Sequence, residues 1–325
     1  MNRLFRTLAI LTIATATPFT AAAANDALSL VPANATSVGM IRLAEMRSSP
    51  LSSLLFQHVD RMSSEGEADE FLIEAGLRPL QDVDTLVVAT SPRTTLGSEA
   101  DVLVIAEGSF LPERLTNALV SRGAVRKNGY IVFPESQRRG DGDAGAVAFL
   151  SPSLTIAGNE RSVVNALEAR ANGGTGFVSR GALAAQLGGR VDRATAWAIV
   201  DVPRAARLAN CGTIDTGNGQ AGAALQAALK SVSTVTVWAK DTGDSLQLGA
   251  TGLSTDAETL ELLEDALRGA LAALRILVKD KTPEMVSVLR RFDIDRNSES
   301  ITIEGSIPAA TLRDLMTKKL AEGME

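Results

Sequence analysis

Thiols and imidazoles are almost missing from this chain. Its 325 residues include one histidine, His58, and one cysteine, Cys211. Zinc sites need three or four ligands drawn mainly from those two residue types, so catalytic or structural zinc is all but excluded. A lone cysteine closes no intramolecular disulfide, and the fold must stand on packing. Cys211 lies in the loop ANCGTIDTGNG, where a quiet or buried thiol is expected and pairing with a partner chain is the alternative. His58 sits in LLFQHVDRM, a helix-like pattern in which a packing or surface role is expected rather than that of a base.

Aromatic residues make up only 4% of the chain. That leaves no dense platform for stacking sugars or single-stranded nucleic acid. Motifs of nucleotide and ester chemistry are missing as well. There is no G-x-S-x-G elbow, no Walker A loop and no G-x-G-x-x-G between a strand and a helix, and the cluster NGGTGF has no lysine. GDGDAG offers Asp141 and Asp143 on a polar loop, but it lacks the spaced acids and closing glutamate of an EF-hand, so no metal is expected there. The RGD at 139–141 is read as coincidence in that same loop. Acidic pairs such as those in DIDRNSES are read as solvated turn residues. No catalytic, cofactor-binding or metal-ligating residue is assigned, and no cofactor is expected.

The N-terminal stretch MNRLFRTLAILTIATATPFTAAAAND reads as a secretory signal peptide. Arg3 and Arg6 form the basic region, Leu8 to Ala16 an apolar core too short to span a bilayer, and Ala22 and Ala24 the small residues before a cut at Asn25. Residues 1–24 are therefore expected to be removed, giving an exported, periplasmic or extracellular protein with no transmembrane segment. Losing Arg3 and Arg6 would lower the 32 basic side chains to 30 against 38 acidic ones, a net charge of −8. A surface that negative argues against a nucleic-acid partner.

What is present is a repeated phrase. AEGSFLPERLTNAL, from Ala106, and IEGSIPAATLRDLM, from Ile303, both pass from an apolar strand through Glu-Gly-Ser and a proline turn into a helical pattern. Other segments pair in the same order. ATSVGMIRL matches ATAWAIVDV, VDTLVVATSP matches VSTVTVWAKD, and DVLVIAEG matches DSLQLGATG. LTIAGN with its following helix matches SITIEG with its own. The reading is an α+β protein of two similar halves, each a mainly antiparallel sheet packed by amphipathic helices. The first half is placed at 25–175, ending in the flexible-looking ANGGTG, and the second at 176–325. Strand ends at Gly108, Gly158, Gly252 and Gly305 are expected to exploit glycine's tolerance of positive φ.

Three helices carry further local expectations. Ser49 and Pro50 mark the N-cap and first position of one helix. Leu111, Leu115, Ala118 and Leu119 share the apolar face of another. The third, near 255–281, has the strongest period. Thr255 and Glu258 suggest a capping box, and Leu260, Leu263, Leu267, Leu271, Leu274 and Val278 form one face, widened by Leu262, Ala266 and Ala270. This face is expected to lie on its own sheet, with a homodimer seam or an apolar ligand as the alternatives. In the second half, Leu246, Leu248 and Ala250 are expected to be buried against a wet face of Ser245, Gln247 and Gly249.

LSLVPANATSVGMIRLAEMRSSPL, FLIEAGLRPLQDVDTLVVA, the phrase at 106–119 and GAVAFLSPSLTIAGNERSVVNAL together cover most of residues 28–170. In them the chain resembles uncharacterised secreted bacterial proteins that open with a P-A-x-A strand and continue with G-L-x-P-x-x-D-V-D. The resemblance implies an exported compartment and a duplicated α+β design, and carries over no catalytic residue. The expected function is non-enzymatic binding of another protein or an envelope surface. The alternatives are a carrier of an apolar ligand or lipid in the cell envelope and, more remotely, a hydrolase using scattered carboxylates.

Overall fold

The computed structural model describes residues 23–49, 67–93, 100–133, 144–173, 176–208, 231–279 and 282–314. They form a mixed helix and strand protein with extensive antiparallel pairing. It divides into two compact units, which meet in sequence at Ala185 and Gln186.

The first unit opens with α1 (Ala23–Ser29), β1 (Ser37–Arg42) and α2 (Leu43–Arg47), followed by α3 (Glu67–Ala75) and α4 (Pro79–Asp82). The hairpin of β2 (Val83–Pro92) and β3 (Ala100–Gly108) leads into α5 (Pro112–Ser121). Short strands β4 (Val125–Lys127) and β5 (Tyr130–Val132) precede β6 (Gly145–Ser151) and β7 (Leu154–Asn159), and α6 (Glu160–Ala171) and α7 (Phe177–Arg180) follow. Strand order is β1-β2-β3-β7-β6-β5-β4, antiparallel throughout.

The sequence runs TLVVA and VLVIA are apolar throughout because both faces of this sheet are covered within the unit. Leu86 and Ala106 join the cluster built by Phe71, Phe110, Leu115 and Leu119 from α3, α5 and the turn before α5. The alternate residues Val87, Ala89, Leu103 and Ile105 are equally buried and stand outside that cluster, on the opposite face. Segment 176–185 belongs to this unit. Phe177 is fully buried, and its N–H donates to the Val31 carbonyl at 2.8 Å.

α3 stops where the sequence places its glycine. Gly76 has φ +63°, a left-handed conformation that ends the helix, and Leu77 N–H returns to the Leu72 carbonyl at 3.0 Å. Leu111 departs from expectation. It is the N-cap of α5 and is 55% exposed, while Leu115, Ala118 and Leu119 are buried. Pro112 occupies the first helical position, so the apolar face starts one turn later than the periodicity suggests.

The second unit contains β8 (Ala196–Asp201), α8 (Val202–Leu208), β9 (Thr234–Asp241), β10 (Ser245–Leu253), α9 (Ala257–Lys279), α10 (Pro283–Leu289), β11 (Asp293–Arg296) and β12 (Ser300–Pro308). Strand order is β8-β9-β10-β12-β11, again antiparallel. Leu260, Leu263 and Leu271 of α9 pack with Val232, Ile294 and Ile301 to make its core. On β10 the clean alternation does not appear. Leu246, Leu248 and Ala250 are only half-buried, as are Ser245 and Gly249, and Gln247 alone is exposed.

The glycines at strand ends serve a purpose other than the expected one. Only Gly158 has positive φ, at 155°. A Cβ on Gly108 would lie 1.9 Å from the Asp82 carbonyl oxygen, and one on Gly305 would lie 2.5 Å from the Phe292 ring. Those two positions demand close approach, not a left-handed backbone. Gly252 demands neither, since a Cβ there would meet its nearest neighbour at 3.5 Å. Nor do the strands end at Gly252 and Gly305, because β10 continues to Leu253 and β12 to Pro308.

The cap of α9 also moves. Its N-cap is Asp256, which accepts Glu258 N–H at 3.2 Å and the Thr259 hydroxyl at 2.5 Å. The Asp256 carboxyl is held below its ordinary range first by the Thr259 hydrogen bond. Thr255 plays no part in these bonds, so the capping box is replaced by a single aspartate acceptor.

Candidate functional site

Three features carry unusual chemistry. The first is an open cleft of about 430 Å³ in the first unit, between α5 and strands β4 to β6. Its polar rim includes Asn117, Arg126, Lys127 and Tyr130, over a floor of Ile131, Val147 and Phe149. These polar groups satisfy one another or near neighbours. Arg126 donates to Asn117 Oδ1 at 2.9 Å, Tyr130 donates its hydroxyl to Glu160 Oε1 at 2.9 Å, and Lys127 pairs with the same carboxylate. The Lys127 hydrogen bond holds Glu160 below its ordinary range, and the bond to Glu160 raises the Tyr130 phenol. Neither group is poised to move a proton near neutrality.

The second is a set of charges inside the first unit. Arg47 on α2 donates to Asp84 Oδ1 at 2.6 Å and to the Val83 carbonyl, with both charged side chains largely out of water. Burial pulls the Arg47 guanidinium below its ordinary value, against the opposing pull of Asp84. Glu107, near the end of β3, is 6% exposed, and its Oε1 accepts Ala27 N–H at 3.1 Å. Its Oε2 is buried and has no hydrogen-bond partner among the described residues. Burial raises this carboxyl to about 7; the Ala27 and Thr85 hydrogen bonds oppose the shift, and Asp26 and Asp84 add to it.

The third is the outer side of α9. Of the expected face, Leu260, Leu263 and Leu271 are buried in the core and Leu267 packs against it, but Leu274 is exposed and Val278 only half-buried, so the face leaves the core after Leu271. A second apolar row is wet. Leu262 is 53% exposed, Ile276 73% and Leu277 69%. Gly269, Ala270 and Ala273, also exposed, lie between them. At 100° per residue the apolar positions sweep roughly 220° of the helix. One sheet cannot cover so wide an arc. The polar remainder is ordered: Glu264 accepts from Arg268 at 2.8 Å and from Arg296 at 2.8 Å, and Arg275 donates to the Leu289 carbonyl at 2.8 Å.

His58, Cys211, Asp141, Asp143, the RGD triplet and Pro50 lie outside the described residues. Asp293 and Asp295 are exposed on β11 beside a tight turn in which Asn297 Oδ1 accepts the N–H groups of Glu299 and Ser300. Glu107 is the residue that sequence reasoning passed over. Its signal was present as the one acid ending the apolar run VLVIA, but burial of a carboxylate depends on what packs above it. Among the described residues no group of three or more His, Cys, Asp and Glu side chains is placed to hold a metal ion, and no helix is long and apolar enough to cross a membrane.

No protein-family model matches the chain, and no curated protein matches it. Solved structures of TP0453 are similar over most of its length. Crystal form IV aligns with a TM-score of 0.46 at 12% identity, covering 90% of this chain and 96% of that one. Crystal form I gives 0.46 at 12% identity, covering 90% and 97%, and crystal form III gives 0.43 at 11%, covering 90% and 98%.

Proposed function

We propose that the chain is a non-enzymatic, exported binding protein, and that the wet row on α9 is the face by which it meets a partner protein. One observation carries this reading: Leu262, Ile276 and Leu277 stand in water on the same helix whose other apolar side is buried. Scattered exposed leucines are ordinary, but a contiguous apolar row of this kind marks an interaction surface. A protein partner suits it better than a carried lipid. The row is the outside of a helix, whereas carriers enclose their ligand in a concave pocket. The cleft by Tyr130 does not favour an enzyme either, since Lys127 and Tyr130 are both tied to Glu160 and Arg126 to Asn117.

A photo-crosslinking residue at position 277 of the exported protein tests this. The expected result is a discrete protein adduct formed in the native envelope and lost when Leu262 and Ile276 are changed to Asp. An adduct of twice the chain mass would identify the partner as a second copy. Lipid adducts alone, or none, would overturn the reading.

We also read the two units as copies of one plan. Supporting this, β1-β2-β3-β7-β6 in the first and β8-β9-β10-β12-β11 in the second follow one another in the same way, and a helix follows the third strand of each. Superposing experimentally determined coordinates of each unit on the other would test it; unrelated strand paths would leave the repeated sequence phrase as coincidence.

A further inference from the structure

We propose that Glu107 is a socket for an ammonium group, and that the ammonium it takes is the α-amino group created when the chain is cut before Asn25. The socket is built from β3 and α1. Glu107 is more than nine-tenths buried, Oε1 accepts Ala27 N–H at 3.1 Å, and Oε2 is buried without a partner among the described residues. The Ala27 N–H and the Thr85 side chain favour its charge, and the carboxylates around it oppose it. Asp26 on α1 and Asp84 on β2 are both carboxylates, and Arg47 on α2 is engaged by Asp84 and the Val83 carbonyl. A buried carboxylate oxygen among like charges is costly unless a cation with N–H donors meets it.

The sequence supplies such a cation at this place. Ala22 and Ala24 are the small residues of a cut that leaves the new amine on Asn25, two residues before Ala27. Two helical residues rise about 3 Å, so the amine lies within one turn of the bond that Ala27 already makes to Oε1. Cutting also removes Ala23, whose carbonyl is the helical acceptor four residues before Ala27. Ala27 N–H then becomes a first-turn donor with no intrahelical partner, and Glu107 Oε1 is already in place to accept it. Processing fills both oxygens: the backbone amide on Oε1 and the ammonium on Oε2. The cut thereby fastens α1 to β3.

The experiment uses the exported protein, first sequenced from its N-terminus. The rate at which an amine-reactive acyl ester labels the α-amine is compared in wild type, in Glu107→Gln, and in a variant with two residues inserted between Ala24 and Asn25. A free α-amine titrates near 7.7–8.0 and labels readily at neutral pH, whereas an ion-paired one keeps its proton. The wild-type amine is expected to label at least ~10-fold more slowly than in either variant, a difference of about one pKa unit or more. If Glu107→Gln does not fold, the insertion variant, which keeps the carboxylate and moves only the amine, makes the comparison alone. Equal labelling rates would overturn the proposal, and so would an N-terminus at a residue other than Asn25.

Discussion

Trp197 and Trp238, the only two tryptophans of the chain, stand directly opposite each other on β8 and β9, and both are buried. Gly249, the partner of Trp238 on β10, leaves room for the indole, since a Cβ there would lie 2.4 Å from the ring. Arg190 lies 5.5 Å from the Trp238 ring centre and pairs with Glu304. Tryptophan emission therefore reports on the second unit alone. Gly249→Ala should push the ring from its place, at a cost of about 1–3 kcal/mol. Urea unfolding followed by tryptophan fluorescence should show a lower midpoint and a red-shifted native spectrum. An unchanged midpoint would refute the packing described.

The glycines at 108 and 252 should respond oppositely to the same change. Gly108→Ala forces a methyl against the Asp82 carbonyl and should lose about 1–3 kcal/mol or more. Gly252→Ala meets its first neighbour at ordinary contact distance and should be neutral or slightly stabilising, because it lowers the freedom of the unfolded chain. Thermal melts of the two variants decide the matter, and equal losses would contradict it.

Arg47 and Asp84 form a buried pair, and such a pair is most expensive when half removed. Arg47→Met leaves Asp84 uncompensated and should cost about 3–5 kcal/mol. The double change Arg47→Met with Asp84→Leu should recover much of that loss. A double-mutant cycle by chemical denaturation measures the coupling, and additive losses would show that the two charges act independently.

Glu107 gives a pH dependence with a definite sign. Its carboxyl lies at about 7 in the fold described, above the ordinary 4.5. Between those values the folded chain holds a proton that the unfolded chain has released, so stability falls as pH rises through the window and recovers on acidification. The full swing is about 3 kcal/mol. The variant with two residues inserted before Asn25, in which no ammonium reaches Oε2, should show this fall, and adding Glu107→Gln should erase it. The processed wild-type chain should stay nearly flat. Unfolding free energies at pH 5 and pH 8 provide the check.

Much of the architecture is legible in local pattern. The apolar runs of β2, β3 and β7, the stop of α3 at Gly76 and the 3–4 spacing of α9 are set by short-range sterics and by periodicity, and these depend only on neighbours in sequence. Short elements escaped. β4 and α10 carry no signal and β11 reads as a turn, because three to seven residues give too little period to distinguish strand, turn and helix.

The sequence by itself determined the antiparallel class of mixed helix and strand and the succession of the principal strands along the chain. It also fixed the scarcity of metal-binding side chains, since composition needs no coordinates. Only the tertiary structure decided that Asp256 and not Thr255 caps α9, because capping depends on which side chain the backbone turns toward the free N–H groups. Only it showed why Gly108 and Gly305 must lack a side chain, since the atoms they would strike belong to distant residues. It also separated the two apolar rows of α9, which look alike in sequence and differ in what lies across from them. Burial of Glu107 arose in the same way. A carboxylate at the end of a strand is ordinary until α1 closes over it, and that contact spans 80 residues of chain. Long-range packing decides desolvation, and desolvation sets the chemistry of the site.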